Sequence, residues 1–155
     1  FERLVPVIKP RVLQSWAHAI DDQFIREGGR VQRVMEKFDV SFVAFSPLAQ
    51  GRLLGKFSPD KPPQFESGDH RQDSRHFTKE ALEELKPRME KLQQRFGSSM
   101  EKLASVALKY VLAHPRVACV IPGFLNERQA RCNVAAGEKW SAADLDFIRS
   151  VFARS

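Results

Sequence analysis

The sequence predicts an α/β fold in which parallel strands alternate with helices, and three observations support this. Short runs at 12–16, 40–46 and 117–123 have the length and the β-branched or aromatic content of strands. Amphipathic stretches separate these runs, and such alternation favours parallel strands joined by right-handed crossovers. Three strands cannot close a barrel, and an open sheet would leave apolar edges exposed. We therefore predict a part of an α/β structure rather than a complete one.

Composition limits the class of protein. The chain of 155 residues suffices for one domain, and 43% hydrophobic with 28% charged residues is usual for a globular protein. No apolar run approaches the roughly 20 residues that a membrane helix needs. The net charge of +6 permits an anionic partner, but Lys and Arg are interleaved with Asp and Glu, as on a solvated surface. We predict neither a nucleic-acid nor a membrane partner.

The first half of the chain contains two strands and a helix. The strand at 12–16 precedes a helix within 28–38, where apolar residues recur at helical spacing. The strand at 40–46 has the strongest pattern. Residues 49–77 are rich in Pro, Gly, Asp and Ser, so we predict an irregular loop that is functional or mobile, and the most mobile segment of the chain.

Two helices follow this loop. The first begins at about Thr78 and has an apolar stripe, but Pro87 should kink or split it. The second, within 98–114, begins with a capping pair, Ser98 and Glu101, and ends before a proline. The last part of the chain repeats this pattern. A helix capped by Asn126 runs to about residue 136, and a terminal helix at 141–155 begins with a Ser and Asp pair.

The strand at 117–123 is nearly all apolar, which predicts a strand buried on both faces. Cys119 lies within it and is therefore predicted to be a buried thiol. The only other cysteine, Cys132, forms no metal-binding spacing with it. Two cysteines are too few for a disulfide scaffold, so a reducing, cytoplasmic compartment fits best.

Ligands of α/β folds bind at the carboxyl ends of the strands, and two of these ends here have the features of an anion site. Gly51 and Gly123 allow close approach of the backbone, Asn126 begins a helix whose N-terminus favours negative charge, and Arg128 adds a cation. Arg52 and Lys56 either add positive charge to this site or are surface residues. Each Gly and Pro can equally be ordinary turn punctuation.

Other candidate sites are weaker. Ser46 has no local base, so it lacks the partner of a nucleophilic serine. His70 and His76 lie near Asp69 and Asp73, but their spacing matches no metal site, and we predict none. Trp16 and Phe45 at two strand ends either stack on a flat ring or are core side chains.

Several motifs together resemble the C-terminal part of an aldo-keto reductase. These are FVAFSPLAQGRLLGKF at 42–57, GDHRQDSRHF at 68–77, LASVALKYVLAHP at 103–115 and VACVIPGFLNERQARCNVAA at 117–136. The resemblance implies a (β/α)8 TIM barrel, of which residues 1–155 would supply strands six to eight and the C-terminal helices. It also implies the NADPH-dependent reduction of carbonyl compounds by hydride transfer.

The resemblance further implies the positions of cofactor contacts. Gln14 would hold the nicotinamide amide, and Phe45 would stack on the ring where the family usually has Tyr. The phosphates and adenosine would contact residues of the two loops that follow: Ser46, Pro47, Leu48, Gly51, Pro122, Gly123, Asn126, Arg128, Gln129 and Asn133. Cys132 stands where the family often has Glu.

The family's catalytic Asp, Tyr, Lys and His have no counterparts in this chain, and its sole tyrosine, Tyr110, lies on a predicted helix. We therefore expect the chain alone to be inactive. The implied partners are a carbonyl substrate and either the N-terminal half of the barrel or a second copy joined through sheet edges. The alternative function is a non-catalytic module, derived from a reductase barrel, that binds a nucleotide or docks to a partner.

Overall fold

The computed structural model describes residues 1–136 and 141–153 and contains a three-stranded parallel sheet. Its strands are β1 (Val12–Trp16), β2 (Ser41–Phe45) and β3 (Val117–Ile121), arranged in the order β1-β2-β3. Both neighbouring pairs are parallel, so the three predicted strands and their direction are confirmed. The helices are α1 (Val5–Ile8), α2 (Arg30–Lys37), α3 (Lys79–Phe96), α4 (Met100–Leu112), α5 (Glu127–Ala135) and α6 (Ala142–Phe152).

Most helix ends follow the predicted caps. The side chain of Thr78 accepts a hydrogen bond from the backbone of Ala81 at the start of α3. The prediction for α4 was wrong by one residue, because Ser99, not Ser98, caps this helix. Asn126 and Ser141 cap α5 and α6 as expected. The predicted end of the terminal helix, at residue 155, lies outside the described residues.

Pro87 lies inside α3 without splitting it, contrary to one of the predicted outcomes. The residue is on the exposed side of the helix, between the buried residues Leu85 and Met89. The carbonyl that loses its hydrogen bond there can be hydrated, and burial of the apolar stripe outweighs the local cost of proline.

The helices cover one face of the sheet. Leu13, Phe42 and Ala44 point to this face and are buried. They share one core with residues of five helices, among them Val5, Met35, Leu85, Leu103, Val111 and Ile148. Side chains alternate between the two faces along each strand, so the residues between the buried ones lie on the opposite face, which is open. Its apolar residues Val12, Trp16, Phe45 and Ile121 are 37–49% exposed.

Burial of the third strand was predicted incorrectly. Three residues of β3 are exposed, including Cys119, which is not a buried thiol. The reason is position: β3 is one of the two edge strands of the described sheet, and Cys119 lies beside Val43 on its open face. The short helix α1 was not predicted at all, because four residues are too few for a periodic pattern.

The segment 49–77 is less irregular than predicted. It contains two 3₁₀ helices, Ala49–Leu54 and Arg75–Phe77. Phe57 and Phe65 pack edge-on against Phe77, with ring centroids 5.3 and 4.9 Å away. The predicted mobility of this segment stays a prediction.

None of the described helices combines the length and apolar character that crossing a membrane requires.

Candidate functional site

A cleft of about 790 Å³ opens at the carboxyl ends of β2 and β3. The loops after the two strands form its floor, and the start of α4 and the inner side of α5 form a wall. The structure brings together here nine of the residues predicted to bind a ligand: Phe45, Ser46, Pro47, Leu48, Gly51, Pro122, Gly123, Gln129 and Asn133. Residues far apart in the sequence, such as Ser46 and Pro122, therefore share one concave surface.

The loop after β2 has an unusual backbone. Ser46, Ala49 and Gln50 have φ values of 53°, 50° and 58°, in the left-handed region that non-glycine residues rarely adopt. Gly51 continues this conformation with φ 89°. Two short turns hold the loop, since the N–H of Ala49 donates to Ser46 O and that of Gly51 donates to Leu48 O. Such strain occurs preferentially at ligand-binding loops, where the surrounding structure maintains it.

The wall formed by α5 contains an unsatisfied donor. The side-chain nitrogen Nδ2 of Asn133 is buried and has no hydrogen-bond partner among the described residues. A buried polar group without a partner is costly, so a ligand acceptor in the cleft would relieve this cost. One turn earlier, the side chain of Gln129 accepts a hydrogen bond from Leu125 N at 2.7 Å, which fixes the loop to the helix.

A charged rim borders the cleft on the side of the long loop. Lys56 lies beside Gly51, and a Cβ atom on this glycine would approach Lys56 Cε to 2.9 Å. His70 reaches over from the segment 68–71 and contacts the side chain of Gln50, with 3.1 Å between the two nitrogens. Arg71 forms an ion pair of 2.5 Å with Asp69 and holds the pKa of that carboxyl well below its usual value.

Three predicted ligand residues lie outside this cleft. Gln14 is on the open face of the sheet, in register with Val43. The side chain of Asn126 is used as the cap of α5, accepting from Gln129 N at 3.0 Å. Arg128 forms an ion pair with Glu101, and only the carboxylate partner lines the cleft.

Lys56, predicted either to add positive charge to this site or to be a surface residue, lines the cleft. Sequence reasoning missed Glu101 as a residue of the cleft. Glu101 had been interpreted only as part of a helix cap. Nothing in its local sequence shows that α4 and α5 pack together and bring it beside Arg128.

Neither Tyr110 nor a metal cluster supplies chemistry at the cleft. The hydroxyl of Tyr110 is in the core and donates to Asp22 at 2.9 Å, and burial raises its pKa well above the ordinary value. In residues 1–136 and 141–153, no three His, Cys, Asp or Glu side chains are grouped as metal ligands would be.

Comparison with known proteins agrees with this architecture. The aldo-keto reductase AKR11C1 from Bacillus halodurans, in its holo form, superposes with a TM-score of 0.67 at 22% identity. The superposition covers 97% of this chain and 45% of that one. The glycerol dehydrogenase AKR11B4 from Gluconobacter oxydans gives a TM-score of 0.71 at 19% identity, covering 90% and 41%. The chain therefore spans less than half of these structures and has the fold of part of their barrels.

A search of curated proteins gives no significant match. The sequence model of the aldo/keto reductase family matches residues 4–151, which is nearly the whole chain. The match includes both loops of the cleft and the helices that surround it. The chain accordingly belongs to the aldo/keto reductase family.

Proposed function

We propose that this chain supplies the cofactor-binding part of an NADPH-dependent carbonyl reductase. The observation that supports this most is the convergence of the loops after β2 and β3 on one cleft. Its volume of about 790 Å³ is in the range of cofactor sites, and it combines a strained loop, a cation and an unsatisfied donor. Family membership makes a nicotinamide dinucleotide the expected occupant.

The residues of the cleft fit the chemical parts of such a cofactor. Phe45 offers an exposed aromatic ring on which a nicotinamide can stack. The loop 46–51 with Lys56 suits the pyrophosphate, because the backbone approaches closely there and the ammonium attracts negative charge. Asn133 Nδ2 would donate to a ring nitrogen of the adenine. Arg128 is a cation near this end and would pair with a 2′-phosphate, which distinguishes NADPH from NADH.

The cofactor, when bound, supplies the hydride for carbonyl reduction. A proton donor must lie within hydrogen-bond reach of the carbonyl oxygen, and the residues at the strand ends, such as Gln14 and Ser46, do not ionise in a useful range. Tyr110 is buried elsewhere. The donor would therefore come from another part of the complete protein, which we expect to complete the barrel against the open sheet face.

A second candidate is a nucleotide-binding or docking module without catalysis. It is favoured by the lack of counterparts to the family's catalytic residues in this sequence and by the exposed face of β1 and β2. Free Cys119 and Cys132 suit a reducing, cytoplasmic compartment in either case.

Two assays distinguish these functions. Titration of the complete protein with NADPH, followed by the fluorescence of the reduced nicotinamide, tests the cleft. The reductase proposal requires saturable binding and NADPH oxidation with at least one member of a panel of aldehydes and ketones. Binding without turnover across the panel would favour the non-catalytic module, and absence of binding would contradict both.

A further inference from the structure

A second cleft, of about 660 Å³, adjoins the first and shares Phe45, Ser46 and Gln50 with it. Its remaining walls come from the turn after β1, from the 3₁₀ helix Arg75–Phe77 and from the first half of α3. Basic side chains outnumber acidic ones on these walls: Arg52, Arg75, Arg88, His18 and His76 face only Asp21 and Glu84.

Arg52 is the central cation of this second cleft, and it does not line the first one. Its guanidinium is partly buried and is oriented by a hydrogen bond from Nε to Ala49 O at 3.2 Å. No carboxylate lies within 4.0 Å of its terminal nitrogens among the described residues. Burial lowers the pKa of Arg52, and the charge of Asp21 offsets this only in part, as expected for a desolvated cation that forms no direct ion pair.

His18 provides a fixed neutral donor in the same cleft. The side chain is only 7% exposed, and its Nδ1 accepts a hydrogen bond from Asp21 N at 3.0 Å. Because Nδ1 is the acceptor, the proton of the neutral ring is on Nε2. This Nε2–H has no hydrogen-bond partner in the part of the chain that the structure describes. It is therefore available to an acceptor that enters the cleft.

The acidic residues of the cleft already have partners. Asp21 accepts from Trp16 Nε1 at 3.1 Å and from Gln23 Nε2 at 3.2 Å. Glu84 pairs with Arg88, with 3.9 Å between the charged atoms. The remaining cations, Arg52 and Arg75, leave the cleft with an excess of positive charge.

We propose that the second cleft binds an oxyanion, the carboxylate or phosphate group of a small organic ligand, between Arg52 and His18. A guanidinium and a neutral N–H donor complement such a group, since both donate hydrogen bonds. Trp16 and Phe45, whose ring centroids are 6.5 Å apart, give the same cleft an apolar wall for the rest of the ligand. The proposal does not depend on the function of the first cleft.

Calorimetric titration of the complete protein with benzoate and with inorganic phosphate at pH 7 tests this site. We expect saturable binding of at least one anion, weakened about tenfold or more by Arg52→Gln, which removes a charge-assisted donor. Arg75→Gln, at an exposed position, should weaken binding about two- to fivefold. The control is Lys56→Gln, which removes a cation from the first cleft only.

The results separate the possible sources of the anion. Tighter binding of benzoate identifies a carboxylate ligand with an apolar body, and tighter binding of phosphate identifies a phosphorylated one. If Arg52→Gln does not fold, the comparison of Arg75→Gln with Lys56→Gln decides. The proposal is overturned if neither anion binds, or if Lys56→Gln weakens binding while the second-cleft variants retain it. The affinity of Arg75→Gln for NADPH should match that of the wild type, whether or not the variant weakens binding of the anions.

Discussion

Glu101 and Arg128 form an ion pair of 2.6 Å between the first turn of α4 and the first turn of α5. The carboxylate lines the first cleft, whereas the guanidinium is largely exposed. Any 2′-phosphate at this end of the cleft would compete with Glu101 for the same cation. Under the proposed function, the pair would therefore link the packing of two helices to the choice between NADPH and NADH.

The first prediction concerns Arg128 in the complete protein. Arg128→Ala should weaken NADPH binding about tenfold and leave NADH binding nearly unchanged, since only NADPH carries the 2′-phosphate. This loss of affinity is at the lower end of the range for a charge-assisted hydrogen bond, because the Arg128 side chain is exposed and already paired with Glu101. Dissociation constants for the two cofactors measure it, and an equal loss for both would assign Arg128 a structural role.

Glu101→Gln should have the opposite effect and strengthen NADPH binding a few-fold, because it frees Arg128 and removes a negative charge from the cleft. A matched control is Glu127→Gln, which breaks the similar pair of 2.6 Å with Arg131 on the same helix but does not alter the cleft. Improved binding in both variants would mean that the loss of a negative charge, and not the release of Arg128, strengthens NADPH binding.

Gly123 offers a test that separates binding from folding. A Cβ atom at this position would meet no atom within 4 Å, and its φ is not in the left-handed region. Gly123→Val should therefore leave the melting temperature within about 2 °C of the wild type, as for an unstrained exposed position. It should weaken NADPH binding, because the side chain fills space that the cofactor would occupy. Unchanged affinity would place the cofactor away from this loop.

Stability should fall at acidic pH because of His18. Burial, and then the charge of Arg52, lower the pKa of His18 to about 4, from an ordinary value of 6.5. The unfolded chain thus binds a proton between these values that the folded chain excludes. Exclusion of this proton from His18 costs nothing above pH 6.5. As the pH falls below 6.5, it lowers the free energy of unfolding, by about 2 kcal/mol between roughly pH 7 and pH 5.

Denaturant unfolding at both pH values measures this loss. His18→Gln, which cannot titrate, should remove most of it, although the variant is less stable at pH 7. His76 and the buried His114, whose pKa values burial also lowers, remain in the variant and provide the background slope. An unaltered pH dependence would mean that His18 is protonated without cost in the folded protein.

The 155-residue chain, made alone, should lack carbonyl reductase activity and associate with itself. The open sheet face exposes Val12, Trp16, Phe45 and Ile121, and β3 has an unpaired edge in the described sheet. Sedimentation at several concentrations and NADPH oxidation with an aldehyde panel measure these two properties. A compact monomer with turnover above background would contradict both expectations.

The strands and most caps could be predicted from the sequence because these features depend on local pattern. Asn126 and Ser141 have short polar side chains directly before amphipathic runs, and both cap as expected. Burial of Cys119 was predicted wrongly because it depends on which strands lie at the edges and which face of the sheet stays open, and no local pattern encodes this. The left-handed residues Ala49 and Gln50 were also unforeseen, since neither residue type favours that conformation.

The candidate site shows the same division. Its two loops were predicted to act together because of their motifs, and they do share a cleft. The pairing of Arg128 with Glu101 and the separate cleft around Arg52 depend on tertiary packing between distant segments. Arg52 was expected either at the phosphate loop or on the surface, and only the structure places it in a second basic cleft.

Hydrogen exchange of the complete protein with and without NADPH tests the central claim most directly. We expect NADPH to slow exchange in two segments at once, 46–56 and 122–133, which are far apart in sequence but line one cleft. Exchange of α2, on the helical side of the sheet, should not change and is the internal control. Protection of only one of the two segments, or of neither at saturating NADPH, would contradict a dinucleotide site in this cleft.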